Sequence, residues 1–199
     1  MPVVKLLENA KVVINWYGLY VEGSTPTKAY YITNVASIKR LVFKIYIRGL
    51  ESCILGTCES RDSIMGDGDT TFKIVVNDKY TAEHKQTIIH VGDVYEIDAT
   101  STILPYLTDG YMTVKLIIGM IFVSPTHPGY HIYVDLEMSY ELKEGVTPEH
   151  EPKINPLGYT LTPSEIAGLI LGSLLPIIQP ILPYIIMFLI FYFAIKIIF

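Results

Sequence analysis

Two cysteines set five positions apart are the first residues of this chain whose spacing bears on chemistry. Cys53 and Cys58 enclose Ile-Leu-Gly-Thr, an insert that contains Gly56. Closing so short a loop as a disulfide stabilises by about 2 kcal/mol on the chain-entropy model. The spacing predicts a disulfide-pinned turn, with two unpaired buried thiols as the competing reading. A Cys-x4-Cys pair with no further cysteine makes a poor zinc site, and redox catalysis more often uses Cys-x-x-Cys. His127 and His131 are four apart, but Pro128 and Gly129 lie between them and prevent a shared helical face, so solvated turn histidines are expected ahead of a loop site formed by His131 and a carboxylate.

The acidic clusters are no more specific. Asp67-Gly68-Asp69 opens like a calcium loop, yet Phe72 stands where further oxygen ligands are needed and the bidentate Glu is missing, which leaves an ordinary acidic turn. Asp93, Glu96 and Asp98 fall on a predicted strand, where carboxylates on a polar face are commonplace, although they would also suit the flanks of a sugar. No G-x-S-x-G, phosphate-binding loop or G-x-G-x-x-G occurs. The 15 tyrosines and one tryptophan, with clusters at Trp16-Tyr17 and Tyr30-Tyr31, read better as half-buried strand residues than as a carbohydrate platform. No catalytic residue, cofactor or metal site is expected. The chain reads as non-enzymatic.

The elements that carry these residues are strands. His131–Leu142 alternates Ile132, Val134, Leu136, Met138, Tyr140 and Leu142 with polar neighbours over 12 residues. Met112–Val123 alternates too, through Val114, Leu116, Ile118, Met120 and Phe122. Its other face turns apolar at Ile117, Ile121 and Val123, which predicts burial on both faces. Pro125, Pro128 and Gly129 enforce a turn between the two, so a hairpin or neighbouring strands are expected. Lys39–Arg48 shows Leu41, Phe43, Ile45 and Ile47 on one face. Shorter strands are predicted at Val12–Tyr20, Ala29–Thr33, Thr71–Val76, Thr87–Val91 and Val94–Ala99, separated by EGSTPT, MGDGD, VGD and LTDG. The sum is an all-β protein, an antiparallel β-sandwich of seven to nine strands over residues 1–142, with jelly-roll and immunoglobulin-like topologies both open.

Residues 143–162 lose this pattern and carry Pro148, Pro152 and Pro156, which predicts a Pro-rich stalk. From Ile166 to Ile195 there is no charged side chain. Residues 163–199 therefore read as a C-terminal transmembrane helix, which at about 1.5 Å per residue exceeds a bilayer core of roughly 30 Å. Thr162 and Glu165 form its capped start around Pro163. Pro176, Pro180 and Pro183 predict a kink, a single kinked crossing being favoured over a re-entrant hairpin. Ser164, Gly168, Gly172, Pro176 and Pro180 recur every fourth residue as a stripe suited to helix association.

Residues 1–163 hold 19 acidic and 14 basic side chains, a net of −5, which disfavours nucleic acid as a partner. The first residues, with Lys5, Glu8 and Lys11, do not form a signal peptide, so insertion is expected through the tail, as in a tail-anchored protein. Two flanking lysines, Lys153 and Lys196, are too few to set orientation. Asn and Gln total seven, a depletion that leans towards a thermophilic source.

An Ile- and Tyr-rich sandwich, the stalk of residues 143–162 and the terminal anchor together resemble the membrane-associated structural proteins of crenarchaeal viruses, spindle-shaped or turreted icosahedral. The resemblance lies in the layout of the chain and carries no residue roles. It implies a membrane-anchored structural or assembly protein of a virion or envelope. Such a protein contacts lipid, self-associates through its helix and meets other structural or membrane proteins through its sandwich. An envelope-anchored module that recognises a glycan or receptor is the alternative.

Overall fold

A computed structural model describes residues 1–15, 20–54, 56–122 and 129–157. Trp16, Tyr17 and His127 lie outside the described residues. So do the cap residues Thr162 and Glu165, the stripe Ser164, Gly168, Gly172, Pro176 and Pro180, and the rest of the predicted membrane segment. Among the described residues no helix is long and apolar enough to cross a membrane.

Among the described residues eleven strands form two antiparallel sheets, rather than the seven to nine expected. In chain order they are β1 (Val3–Ile14), β2 (Tyr20–Ser24), β3 (Lys28–Thr33), β4 (Ile38–Ile54), β5 (Thr57–Arg61) and β6 (Ser63–Val76). There follow β7 (Tyr80–His90), β8 (Val94–Asp98), β9 (Gly110–Ile121), β10 (Gly129–Leu142) and β11 (Lys153–Pro156). One sheet runs β1-β10-β4-β5, with β8 also on β4; the other runs β11-β3-β9-β6-β7, with β2 also on β9. The pairs are nested. The first strand lies on the tenth, the third on the ninth, the fourth on the eighth and the sixth on the seventh. This is one long hairpin folded over and rolled up, joined along its seam by β10 on β4 and β9 on β6.

That wrapping corrects the expected hairpin of β9 and β10, which lie in different sheets. Both have a fully apolar alternate face, which a common core buries whether the strands pair side by side or lie opposite each other; here they oppose across it. Leu41, Phe43, Ile45, Ile132, Val134 and Leu136 of one sheet, and Phe72, Val114, Leu116, Ile118 and Met120 of the other, are all fully buried. The Phe72 and Tyr95 rings, 4.8 Å apart, join β6 to β8 between the layers. The second face of β9 is not buried throughout: Ile117 is half-buried and Ile121 exposed.

The MGDGD segment read as a break and the predicted end of the Lys39–Arg48 strand both differ from expectation. The Met65-to-Asp69 stretch stays inside β6 as an irregularity in its register with β7. A Cβ at Gly66 would lie 2.9 Å from the Ile121 carbonyl oxygen, so only glycine lets the two strands approach there. β4 runs on past Arg48, where its alternation seemed to stop, through a bulge: Tyr133 pairs with Gly49 and Val134 with Ile47, leaving Arg48 as the extra residue. Parity flips there, so Ile47 and then Leu50 face the core.

The segment from Lys143 onward, read as a stalk, is tied to the sandwich over its described part. β11 pairs with β3, the Lys143 amide donates to the Ser37 carbonyl, and the Tyr140 hydroxyl donates to the Pro152 carbonyl. The Asn34 side-chain amide donates to the carbonyls of Glu149 and Glu151. Prolines that cannot donate to a ladder are tolerated on such an edge strand.

Candidate functional site

The bulge at Arg48 and Gly49 determines which side chains of β4 leave the core. Beyond it Leu50 and Ser52 are buried, so Glu51 and Cys53 turn to the outer face of the sheet. Register then brings partners from both neighbours. Cys58 of β5 is directly opposite Cys53, and His131 of β10 is directly opposite Glu51. Gly56, at φ +85°, supplies the left-handed residue of the β4–β5 turn, where no Cβ is in the way.

Cys53 and Cys58 are disulfide-bonded across a Cα–Cα distance of 4.1 Å, as the spacing predicted. His131 Nδ1 lies 3.3 Å from Cys53 Sγ, 3.5 Å from Cys58 Sγ and 3.0 Å from Glu51 Oε2. The Tyr133 hydroxyl donates to the same carboxylate oxygen at 3.2 Å, and Lys11 Nζ stands 5.8 Å from the Tyr133 ring centre. The bond from His131 and that from Tyr133 hold the Glu51 carboxyl below its ordinary value, against the opposing effect of burial. One imidazole nitrogen, one carboxylate oxygen and two sulfurs thus lie within 4.8 Å of one another. Joined to each other, the sulfurs are spent as thiolate donors.

Elsewhere on this face charges are matched in pairs. Asp135 is 4% exposed although it alternates as a polar residue of β10. It accepts from the Asn9 amide at 2.6 Å and from Arg48 Nε at 2.7 Å, with Lys5 Nζ 3.6 Å away. Burial alone would raise its carboxyl, but the Asn9 amide, then Arg48 and Lys5, hold it below the ordinary value. Asn9, at φ 43°, marks the irregularity in β1 that aims its amide inward.

The carboxylates singled out in the sequence do not converge. Asp93 accepts from the His90 amide and the Tyr95 hydroxyl, both at 2.7 Å. Glu96 pairs with Lys44. Asp98 accepts from Arg40 and the Thr100 amide, and its carboxyl falls to about 2, chiefly through Thr100. Asp69 accepts from the Thr87 hydroxyl at 2.9 Å within β6. Tyr30 is buried, with its hydroxyl donating to the Leu6 carbonyl, whereas Tyr31 is exposed. The joining of Glu51 and His131 to the cysteines was not anticipated. The one signal was His131 two residues from the turn, on the outward parity of its strand.

No protein-family model matches the chain, and no curated protein matches it in sequence.

Proposed function

We propose that this chain is a non-enzymatic, membrane-anchored structural protein of a virion or envelope, with a jelly-roll sandwich as its assembly domain. The nested pairing of strands carries this reading. With β2 and β3 counted as one interrupted strand, and β5 and β11 as additions, eight strands remain in two sheets of four. Their order, β1-β10-β4-β8 facing β3-β9-β6-β7, is that of a hairpin rolled into two Greek keys, the jelly roll of viral capsid and lectin domains. The charge-free residues 166–195 supply the anchor, and the Ser164–Pro180 stripe supplies self-association.

Alkaline extraction of membranes and crosslinking of the full chain in detergent test both halves of the proposal. The protein is expected in the membrane pellet and in species larger than a monomer, with the larger species lost in Gly168→Leu/Gly172→Leu. A protein released by alkali, or monomeric at every concentration, overturns it.

One observation favours glycan recognition as a second reading. Tyr31 of β3 and Tyr111 of β9 are directly opposite each other, 49% and 42% exposed, on the outer face of their sheet. Paired exposed rings suit stacking on a sugar. A glycan array probed with the full chain distinguishes the readings: saturable binding that disappears in Tyr31→Ala favours the module, and no binding leaves the structural role.

A further inference from the structure

We propose that the Cys53–Cys58 hairpin is a redox-gated metal site: reduced, it takes one zinc-class divalent ion through Cys53, Cys58, His131 and Glu51. The donor set is the kind zinc prefers, two thiolates, an imidazole and a carboxylate. The four-residue insert between the cysteines is within the spacing common to structural zinc sites, and the two missing ligands come from Glu51 on the same strand as Cys53 and from His131 on the neighbouring β10 instead of a second cysteine pair.

The distances fit a tetrahedron. With metal–sulfur and metal–nitrogen bonds of about 2.3 and 2.05 Å, the sulfur-to-nitrogen edge is about 3.5 Å and the nitrogen-to-oxygen edge about 3.3 Å. His131 Nδ1 already stands at 3.3 and 3.5 Å from the sulfurs and 3.0 Å from the Glu51 oxygen. The edge that must change most is sulfur to sulfur, which opens to about 3.8 Å in the same tetrahedron once the bond between them is broken. The pair lies one register position from the β4–β5 turn, where a Cβ added at Gly56 would meet no atom within 4 Å.

Supporting groups are in place. Tyr133 donates to Glu51 and orients it, as outer partners of metal ligands do. Lys11 lies beyond the Tyr133 ring, where its charge offsets the negative charge left by two thiolates, a carboxylate and a divalent ion.

The chemistry balances with an external reductant. A water-soluble phosphine attacks one sulfur and cleaves the S–S bond. Hydrolysis then yields the phosphine oxide and two thiols, the phosphine losing the two electrons that the disulfide gains. Metal binding displaces both thiol protons to solvent. A small-molecule disulfide reoxidises the pair by thiol–disulfide exchange, leaving as two thiols that take their protons from solvent, and the rejoined sulfurs release the ion, so metal occupancy reports the redox state around the protein.

The test uses the full chain in detergent, oxidised or reduced with phosphine and titrated with Co2+ and then Zn2+. The reduced protein is expected to bind one metal per chain, with a thiolate-to-cobalt charge-transfer band and the visible bands of tetrahedral cobalt, bleached by zinc. The oxidised protein is expected to show neither band. His131→Ala and Glu51→Gln are each expected to weaken binding at least about tenfold, the lower bound for losing even a supporting partner of a metal site. Circular dichroism of the reduced protein and of Cys53→Ser/Cys58→Ser establishes that the sandwich stays folded. No metal uptake on reduction, uptake indifferent to His131 and Glu51, equal uptake by the oxidised protein, or loss of the fold on reduction each overturns the proposal.

Discussion

Replacing Asp135 by Asn keeps the shape of the side chain and an oxygen to accept from Asn9, but removes its charge. The Arg48 Nε–H, 2.7 Å from the second carboxylate oxygen, then meets an amide NH2 in its place and loses its charged acceptor. Hydrogen bonds involving a charged group are worth about 1.5–3 kcal/mol net. Lys5, 3.6 Å away and open to solvent, adds little. The expected loss at neutral pH is therefore about 2–3 kcal/mol, a drop in Tm of roughly 4–12 °C for a domain of this size.

The pH dependence has a definite sign. The folded carboxyl is held below its ordinary value, so its contribution is fully present above the unfolded aspartate pKa of about 3.9. It is lost as pH falls through the lower folded value, because the unfolded chain takes up its proton first. Wild type and Asp135→Asn should thus differ most from neutral pH down to about pH 5 and converge in strong acid. Urea unfolding of both, followed by circular dichroism across that range, measures the gap. A gap independent of pH, or none at neutral pH, would refute the assignment of Asp135 as a stabilising buried charge.

Three further outcomes are expected from the same unfolding assay. Phe43→Ala, at a fully buried ring, should cost about 3–5 kcal/mol through transfer and cavity terms. Tyr30→Phe leaves the Leu6 carbonyl without its buried donor and should cost about 1–2 kcal/mol; the hydroxyl, pushed up to about 12 by burial, should not titrate in the native protein below strong alkali. Cys53→Ser/Cys58→Ser should cost about 2 kcal/mol in the oxidised protein, from the short loop alone, and nothing relative to wild type that has been reduced without metal.

The sandwich was legible wherever one strand kept a single parity. In β10, and in β4 from Phe43 to Arg48, apolar and polar residues alternate without interruption, and both stretches were readable. Legibility failed where the backbone changes parity or where small residues mimic a turn. The bulge at Arg48 and Gly49 hid the second half of β4, and the glycines of β6 resembled a loop because close approach by β9 also requires glycine. Partner choice was less readable still. Alternation in β9 and β10 defines their buried faces but not whether those faces lie side by side or across a core. The candidate site failed for the same reason. The disulfide follows from local spacing, whereas its meeting with His131 and Glu51 depends on the register of β10 with β4, an encounter of residues about 80 positions apart.

The nested pairing also dictates when the domain can form. Val3 of the first strand pairs with Ser139 of the tenth, so a growing chain holds β1 without β10, its strand partner among the described residues, until nearly all of the sandwich has been synthesised. Among the nested pairs of the described residues, only the innermost, β6 with β7, closes through a short local turn, like that of the appended β4–β5 hairpin. Such long-range closure is slow and leaves β-rich edges open to other chains in the interval. Folding should begin at that inner hairpin and end at the seam of β1 and β10, which makes the first dozen residues the last to become safe from aggregation.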